Sequence, residues 1–462
     1  MNILLVQQEM GRRVRANPVY PRGLVDIASC LPASHRVKII DPNLSPLSTS
    51  FESIEQAIKS FRPDIVGLSI KYIDTTNRLD PYVFYNTVPE TIARIKELIP
   101  AVNMVVGGAG FSIFSREIME DIPQIDFGVF LEGEESFRDL VDHLDKPASV
   151  PGVYYREKDG VHFSGCRSLP SFSRKADPAK AASLLDPSPY ITNDLKIFGI
   201  QTKRGCSFHC PYCNYPFLNG DRYRLRDPKD VVDEIQFLCE KYGLKKFSFS
   251  DNIFNVPSPH AVSICNEIID RGLKVEWAAW CDMSSVSDEF FRLSAQAGCR
   301  SMEFSPDSST KEGLNYFGKK MDVTDIEKTI RIAQRHRQMT YAFNFFCSHP
   351  AMTLKEAMKS LVWWLFIPFL LWKSGRVSLG WIRIYPNTRI HETVLSEGFP
   401  SLKENLLAKT AEEFTKTFYH KKHFWLIDWM FSLILKIAEY IIKPILKIHF
   451  RVRRESYPFY YE

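Results

Sequence analysis

The chain lacks any uncharged apolar run near the ~20 residues that span a bilayer. Its greasiest stretch, Phe424 to Phe450, is interrupted by Asp428, Lys436, Glu439, Lys443 and Lys447, so a membrane-crossing helix is not expected. A basic leader and small-residue cleavage site are also missing. The chain opens on Met1-Asn-Ile-Leu-Leu-Val6, a buried-strand pattern, and export is not expected. No disulfide framework is visible. Of ten cysteines, Cys30, Cys166, Cys239, Cys265, Cys281, Cys299 and Cys347 are scattered singly, which fits reduced thiols in a cytosol. There is no dense basic tract or RNA-binding signature, and a formal charge of +5 is mild for 462 residues, so nucleic acid is not an expected partner. The first strand is not followed by Gly-x-Gly-x-x-Gly, which removes the dinucleotide fingerprint.

What the chain does have is Arg204-Gly-Cys-Ser-Phe-His-Cys-Pro-Tyr-Cys-Asn214. Cys206, Cys210 and Cys213 put three thiolates on one short loop, and such a loop can hold three corners of a cubic iron–sulfur cluster. A closed structural metal site wants four ligands, as zinc usually does. No fourth cysteine lies close by in sequence, so one iron would stay open to a small molecule. The competing reading is a zinc knuckle completed by His209 or a distant residue, in a protein with no catalytic role.

This loop resembles the signature of radical S-adenosylmethionine (SAM) enzymes, and Ile200-Gln-Thr-Lys-Arg-Gly205 resembles the strand that opens their barrel. The resemblance implies a [4Fe-4S] cluster on the three cysteines. Its open iron would bind SAM for reductive cleavage to a 5′-deoxyadenosyl radical. Tyr212 stands where that family places an aromatic residue near the adenine.

Strand-like runs alternate with helical patterns on both sides of the loop, so the fold class is α/β. Residues 1–150 read as a doubly wound parallel sheet, with strands near Ile3–Val6, Val37–Ile40, Ile65–Ile70, Asn103–Val106 and Phe127–Leu131. Ligands bind such sheets at the carboxyl ends of the strands. The glycine turn at Gly107-Gly108 and the Glu132-Gly133 turn, with the cysteine loop downstream, resemble the cobalamin-binding domain found ahead of many radical SAM barrels. The resemblance implies cofactor contacts from Gln7, Ser69, Gly107, Gly108, Glu132 and Gly133. The family's Asp-x-His-x-x-Gly is absent after the first strand, where Gln7-Gln-Glu-Met-Gly-Arg-Arg13 stands, so histidine ligation of cobalt from that loop is excluded.

Residues 151–195 read as a hairpin around Lys158-Asp-Gly160 followed by a linker. Residues 196–400 carry six strand–helix repeats, which predict a partial (β/α)6 barrel with its site at the C-terminal strand ends. Residues 401–462 read as a helical C-terminal region. Asp251 follows the second strand, as a SAM acceptor or a helix cap. Ser305 and Asp307 follow the fourth, where the resemblance implies a carboxylate on the ribose hydroxyls. Cys347 and His349 follow the fifth and are expected to face the substrate cavity, as hydrogen donor or substrate contact and as proton acceptor. Tyr385 follows the sixth, near the adenine.

The resemblance implies cobalamin-dependent methylation of an unactivated carbon in a hydrophobic or natural-product substrate. Cyclisation or rearrangement, with or without functional cobalamin, is the alternative. Expected partners are a small-molecule or lipid-like substrate and an electron donor such as flavodoxin or ferredoxin. The expected location is cytoplasmic, with peripheral contact on the inner face of a membrane. Lys436, Lys443 and Lys447 recur on one helical face, and Arg451, Arg453 and Arg454 follow, as suits an interfacial helix. The apolar run Leu361 to Trp372 could extend the same greasy face.

Overall fold

The computed structural model describes residues 1–12, 18–169, 177–191, 198–371, 374–398 and 406–421, with Phe424, Trp429 and Leu433 besides. Its N-terminal half is built on β1 (Asn2–Gln7), β2 (Arg36–Ile40), β3 (Ile65–Ser69), β4 (Asn103–Gly107) and β5 (Phe127–Val129), all parallel. Ile3, Leu4, Val6, Ile65 and Val66 are fully buried because helices cover both faces of the sheet. The hairpin β6 (Val153–Glu157) and β7 (Gly160–Phe163) does not stand apart as a connector. It extends the same sheet antiparallel from β5, giving the order β2-β1-β3-β4-β5-β6-β7. Stacking of Tyr154 on Phe163, centroids 4.5 Å apart, completes an edge that β5 would otherwise expose.

The second half carries β8 (Gly199–Ile200), the short antiparallel pair β9 (Lys203–Arg204) and β10 (Arg224–Leu225), then β11 (Lys246–Phe249), β12 (Glu276–Cys281), β13 (Cys299–Asp307), β14 (Thr340–Phe346) and β15 (Gly375–Gly380). Six of these form one parallel sheet, β15-β14-β13-β12-β11-β8, as the repeats predicted. Its helices carry clear boundary chemistry. Asp227 caps helix Pro228–Tyr242 at the Lys229 amide, and Gly243 ends it in the left-handed conformation. Asp322 and Asp325 form a capping box on helix Val323–Arg335. The expected sixth strand runs only to Gly380, because beyond it Arg383 turns away toward the other domain. Of the expected C-terminal helical region, helix Ala411–Lys416 is seen. Residues 406–410 and 417–421 are not helical, Trp429 and Leu433 are, and the remainder of that expectation lies outside the described residues. No helix among the described residues is long and apolar enough to cross a membrane.

The buried apolar residues of the two halves run together as one core. Ion pairs reinforce the seam. Asp74, after β3, meets Arg383 at 3.0 Å with both side chains almost fully buried, and Tyr385 donates to the same carboxylate at 3.2 Å. Arg383 also donates to the Leu406 carbonyl at 2.7 Å. Removing one partner of such a pair strands the other charge, so Asp74→Ala should cost about 3–5 kcal/mol. Urea denaturation should report that loss as a lower midpoint, against near-neutrality for Asp80→Ala at the exposed Arg12–Asp80 pair.

Candidate active site

The cysteine loop leaves β9 through Gly205. Its φ is +86° and a Cβ there would lie 1.9 Å from the Arg222 carbonyl oxygen, so the position admits no side chain. The loop is then tied down from several directions. Cys206 N–H donates to the Gly220 carbonyl at 3.0 Å, Cys213 N–H to Cys210 at 3.1 Å, and Ile390 N–H to Pro211 at 2.9 Å. Arg389 donates to the His209 carbonyl. Tyr215 N–H points at the Cys213 sulfur from 3.4 Å. Burial pushes the Cys210 thiol up to about 11 and the Cys213 thiol up to about 12, so metal loading must expel protons. Three thiols on one loop tied down in this way can each take a separate corner of a cubic cluster.

Asp251 does not take either expected role. Its carboxylate turns back to accept from Thr202 N–H at 2.8 Å, Thr202 Oγ1–H at 2.5 Å and Lys203 N–H at 3.2 Å. Its side chain is wholly buried, and Lys203 Nζ lies 3.6 Å away. Asp251 is therefore a brace under the segment that launches the cysteine loop.

Asp307 is the charged residue at the site. A register shift between Phe304 and Asp307 and a φ of 66° turn it inward at the end of β13. Tyr212 O–H donates to its Oδ2 at 2.5 Å, linking the residue between two cysteines to the strand end. Lys319, which the sequence pattern does not single out, meets the same oxygen at 2.6 Å and also donates to the Ser305 carbonyl at 2.8 Å. Ser305 thus contributes its backbone oxygen here. Lys319 arrives there because Gly318, at φ 64°, ends helix Lys311–Tyr316 and lets Lys319 N–H return to the Leu314 carbonyl. Burial raises the Asp307 carboxyl, and Lys319 and Tyr212 pull it back. Burial also opposes charge on Lys319, but Asp307 outweighs it and holds the ammonium protonated. Asn214, directly after Cys213, is a second residue that sequence reasoning misses: it is buried, and among the described residues neither side-chain amide atom is hydrogen-bonded.

The expectation that Cys347 and His349 face a cavity is not met, since both are fully buried. The chain after β14 folds beneath helix Lys311–Tyr316, where the His349 ring stacks on Tyr316 at 5.1 Å and meets Phe317 edge-on at 5.2 Å. Lys421 fixes the turn by donating to the Pro350 and Met352 carbonyls at 2.6 and 2.5 Å. Among the described residues neither imidazole nitrogen has a hydrogen-bond partner, and burial pulls its pKa down to about 4. Tyr385 sits on the seam against Asp74.

On the other side of the seam, Gly108 has φ +98° and a Cβ there would lie 2.7 Å from the Ile70 carbonyl oxygen. The Gly107-Gly108 turn can therefore close on the end of β3, where Ile70 N–H donates to the Gly107 carbonyl at 2.7 Å. Ser69 accepts from Gln8 N–H through its carbonyl at 3.1 Å. Gln7 is buried, while its neighbour Gln8 braces the loop after β3, donating to Tyr72 and Phe84 carbonyls and accepting from Lys71 and Tyr72 amides. Gly133 packs on Ile27 and Val129. Glu132 reaches across to the barrel, pairing with Arg204 at 3.0 Å and with Arg224. Gly107, Gly108 and Gly133 thus bring bare backbone to the carboxyl ends of β4 and β5, where doubly wound sheets bind their ligands.

A B12 binding domain model matches residues 11–141 and a Radical SAM superfamily model residues 200–359. An uncharacterized methyltransferase of Pyrococcus horikoshii is 30% identical over 69% of this chain and 68% of its own length. The anaerobic magnesium-protoporphyrin IX monomethyl ester cyclase of Cereibacter sphaeroides is 26% identical over 61% of this chain but only 46% of its own length. Among solved structures, the radical SAM methyltransferase TsrM of Kitasatospora setae, with cobalamin and a [4Fe-4S] cluster bound, superposes with a TM-score of 0.68 at 21% identity, covering 86% of this chain and 78% of that one. The chain belongs to the radical SAM enzymes that carry a B12-binding domain. Its cofactors are accordingly a [4Fe-4S] cluster, SAM and cobalamin, and the zinc alternative is set aside.

Alanine at Cys206, Cys210 or Cys213 should abolish the cluster's visible absorption after anaerobic reconstitution, whereas Cys239→Ala and Cys265→Ala should retain it. Asp307→Ala should weaken SAM binding by about 1–3 kcal/mol. Lys319→Met should weaken it similarly and Lys319→Arg should restore most of the loss, measured by equilibrium dialysis. His349 should leave a mark on stability. Its folded pKa lies below the ordinary 6.5, so the unfolded chain takes up a proton first as pH falls. The stabilisation is complete above 6.5 and is lost toward pH 4, by up to about 3 kcal/mol. His349→Phe should flatten that part of the pH–stability curve.

Proposed function

We propose that the protein methylates an unactivated carbon of a hydrophobic or natural-product substrate. The observation that carries this reading is the pairing of Glu132, on the B12-binding domain, with Arg204, two residues before the first cluster cysteine. Two cofactor sites therefore meet at one seam. When bound, the cluster supplies one electron to SAM for a hydrogen-abstracting radical, and cobalamin carries the methyl group.

The chain's own residues prepare that chemistry. Cys206, Cys210 and Cys213 would hold the cluster, and Asp251 fixes the segment that carries them. Asp307, held by Lys319 and Tyr212, would offer a carboxylate oxygen to the SAM ribose, and Tyr212 would stand near the adenine. Gln7, Ser69, Gly107, Gly108 and Gly133 line the cobalamin side. Tyr385 closes the seam through Asp74, and the buried core around it keeps water from a reactive radical. His349 is neutral at working pH and, with Cys347, shapes the floor beneath the strand ends.

Organisation into a cobalamin domain at 1–150 whose sheet the hairpin of residues 151–195 extends before the linker, a barrel at 196–400 and a C-terminal region at 401–462 belongs to this reading. So do a flavodoxin- or ferredoxin-like electron donor and a cytoplasmic location with peripheral membrane contact. The cyclase among the relatives supports a second reading, rearrangement without methyl gain. Turnover with SAM labelled in its methyl group distinguishes them. Labelled product from cobalamin-loaded protein, and none from cobalamin-free protein, is expected. Unlabelled product with full turnover would overturn the methylation reading.

A further inference from the structure

Helix Leu354–Leu370 is apolar on both faces. One side packs on the barrel through Ala357, Ser360, Trp364, Ile367 and Leu371, none more than 5% exposed. The other carries Leu354, Met358, Val362, Phe366 and Leu370, exposed by 58, 55, 53, 58 and 41%. At about 100° per residue, these five fan across the half of the helix opposite the buried one. An outer barrel helix in water keeps that half polar. A run of large exposed side chains marks a surface that meets something.

The charges say what it meets. The helix holds three charged residues, Lys355, Glu356 and Lys359. Glu356 is turned inward, accepting from Thr310 at 3.1 Å and Thr353 N–H at 2.5 Å. The exposed half therefore shows lysines and no acid. A second copy docked two-fold on this face would bring lysines toward lysines. The chain's own C-terminal segment is also net basic, with Lys436, Lys443, Lys447, Arg451, Arg453 and Arg454 against Asp428, Glu439, Glu455 and Glu462, and complements lysines less well than an anionic surface does. An anionic lipid surface complements both the apolar half and the cations. Lys421, bonded to Pro350 and Met352, also starts that apolar C-terminal segment beside the first turn of the helix, and Trp429 and Leu433 are themselves 58 and 42% exposed.

We infer that the outer face of Leu354–Leu370 is a docking surface for anionic bilayers, seating the barrel on the lipid interface. The inference rests on the peripheral-membrane part of the proposed function and locates it within the folded domain. Co-sedimentation of the cluster-loaded full chain with vesicles of phosphatidylcholine plus phosphatidylglycerol, and with phosphatidylcholine alone, tests it. The full chain should bind the anionic vesicles and bind the neutral ones far less. Met358→Glu/Phe366→Glu should reduce partitioning at least about tenfold while keeping the cluster spectrum. Lys355→Glu/Lys359→Glu, which leaves the apolar residues in place, should remove the preference for anionic lipid. If both variants bind like the parent and only deletion from Phe424 onward releases the protein, the inference fails while the membrane reading stands. Absence of binding by the full chain overturns both. A vesicle-independent dimer that Met358→Glu/Phe366→Glu turns into monomer, or tighter binding after the deletion, assigns the face to a second copy or to the chain's own segment and overturns it as well.

Discussion

Glu132 stands at the start of helix Gly133–Asp142, in a turn where the strand ends of the first sheet approach the barrel. Its carboxylate reaches Arg204 and Arg224, the two arginines that face each other across the β9–β10 pair. Glu134 adds a contact to Arg204 at 2.6 Å. Arg204 precedes Gly205 and Cys206, so the first domain's carboxylates anchor the chain one turn before the cluster loop. Burial disfavours the Arg204 charge, and the carboxylates around it more than restore it. A guanidinium so enclosed cannot be left without its partners. The rest of the molecule is arranged around keeping this contact, with Glu234 between Arg22 and Arg226 and Asp74 on Arg383 along the same seam.

A radical generated from SAM must meet its substrate before it meets anything else. That requirement favours a site whose charges are settled in advance. Asp251 and Asp307 divide the work. The first is spent on Thr202 and Lys203 and gives mechanical support. The second is held between Tyr212 and Lys319, at a backbone angle costly for a residue with a side chain. Two carboxylates at strand ends of one sheet thus have different fates, decided by whether a backbone amide or an ammonium reaches them first.

Much of the architecture is legible in the sequence because parallel strands buried on both faces read as short apolar runs, such as Ile3–Val6 and Ile65–Leu68. The cysteine spacing is equally direct, since three thiols on one loop have few structural uses. Lys319 is not legible. It reaches Asp307 only through a left-handed glycine and an irregularity in β13, neither of which has a periodic signature. The Gly318-Lys319-Lys320 triplet ending a short helix is the available clue. His349 misleads for the converse reason: its place after β14 is as expected, but the turn folds inward under Tyr316. Glu132 reads as a cofactor contact because pattern gives no hint of an arginine 72 residues away.

The open side of the barrel follows from the same geometry. The sheet order ends at β15 and β8, with no pairing between them among the described residues. Every residue of β15 is only partly buried. An edge strand so exposed would invite another strand unless something else occupies its flank. Here the inner edge also offers chemistry, because Arg376 on β15 lies 3.5 Å from Glu303 on β13, and burial raises that carboxyl while Arg376 opposes the rise. The chain enters β15 directly from helix Leu354–Leu370.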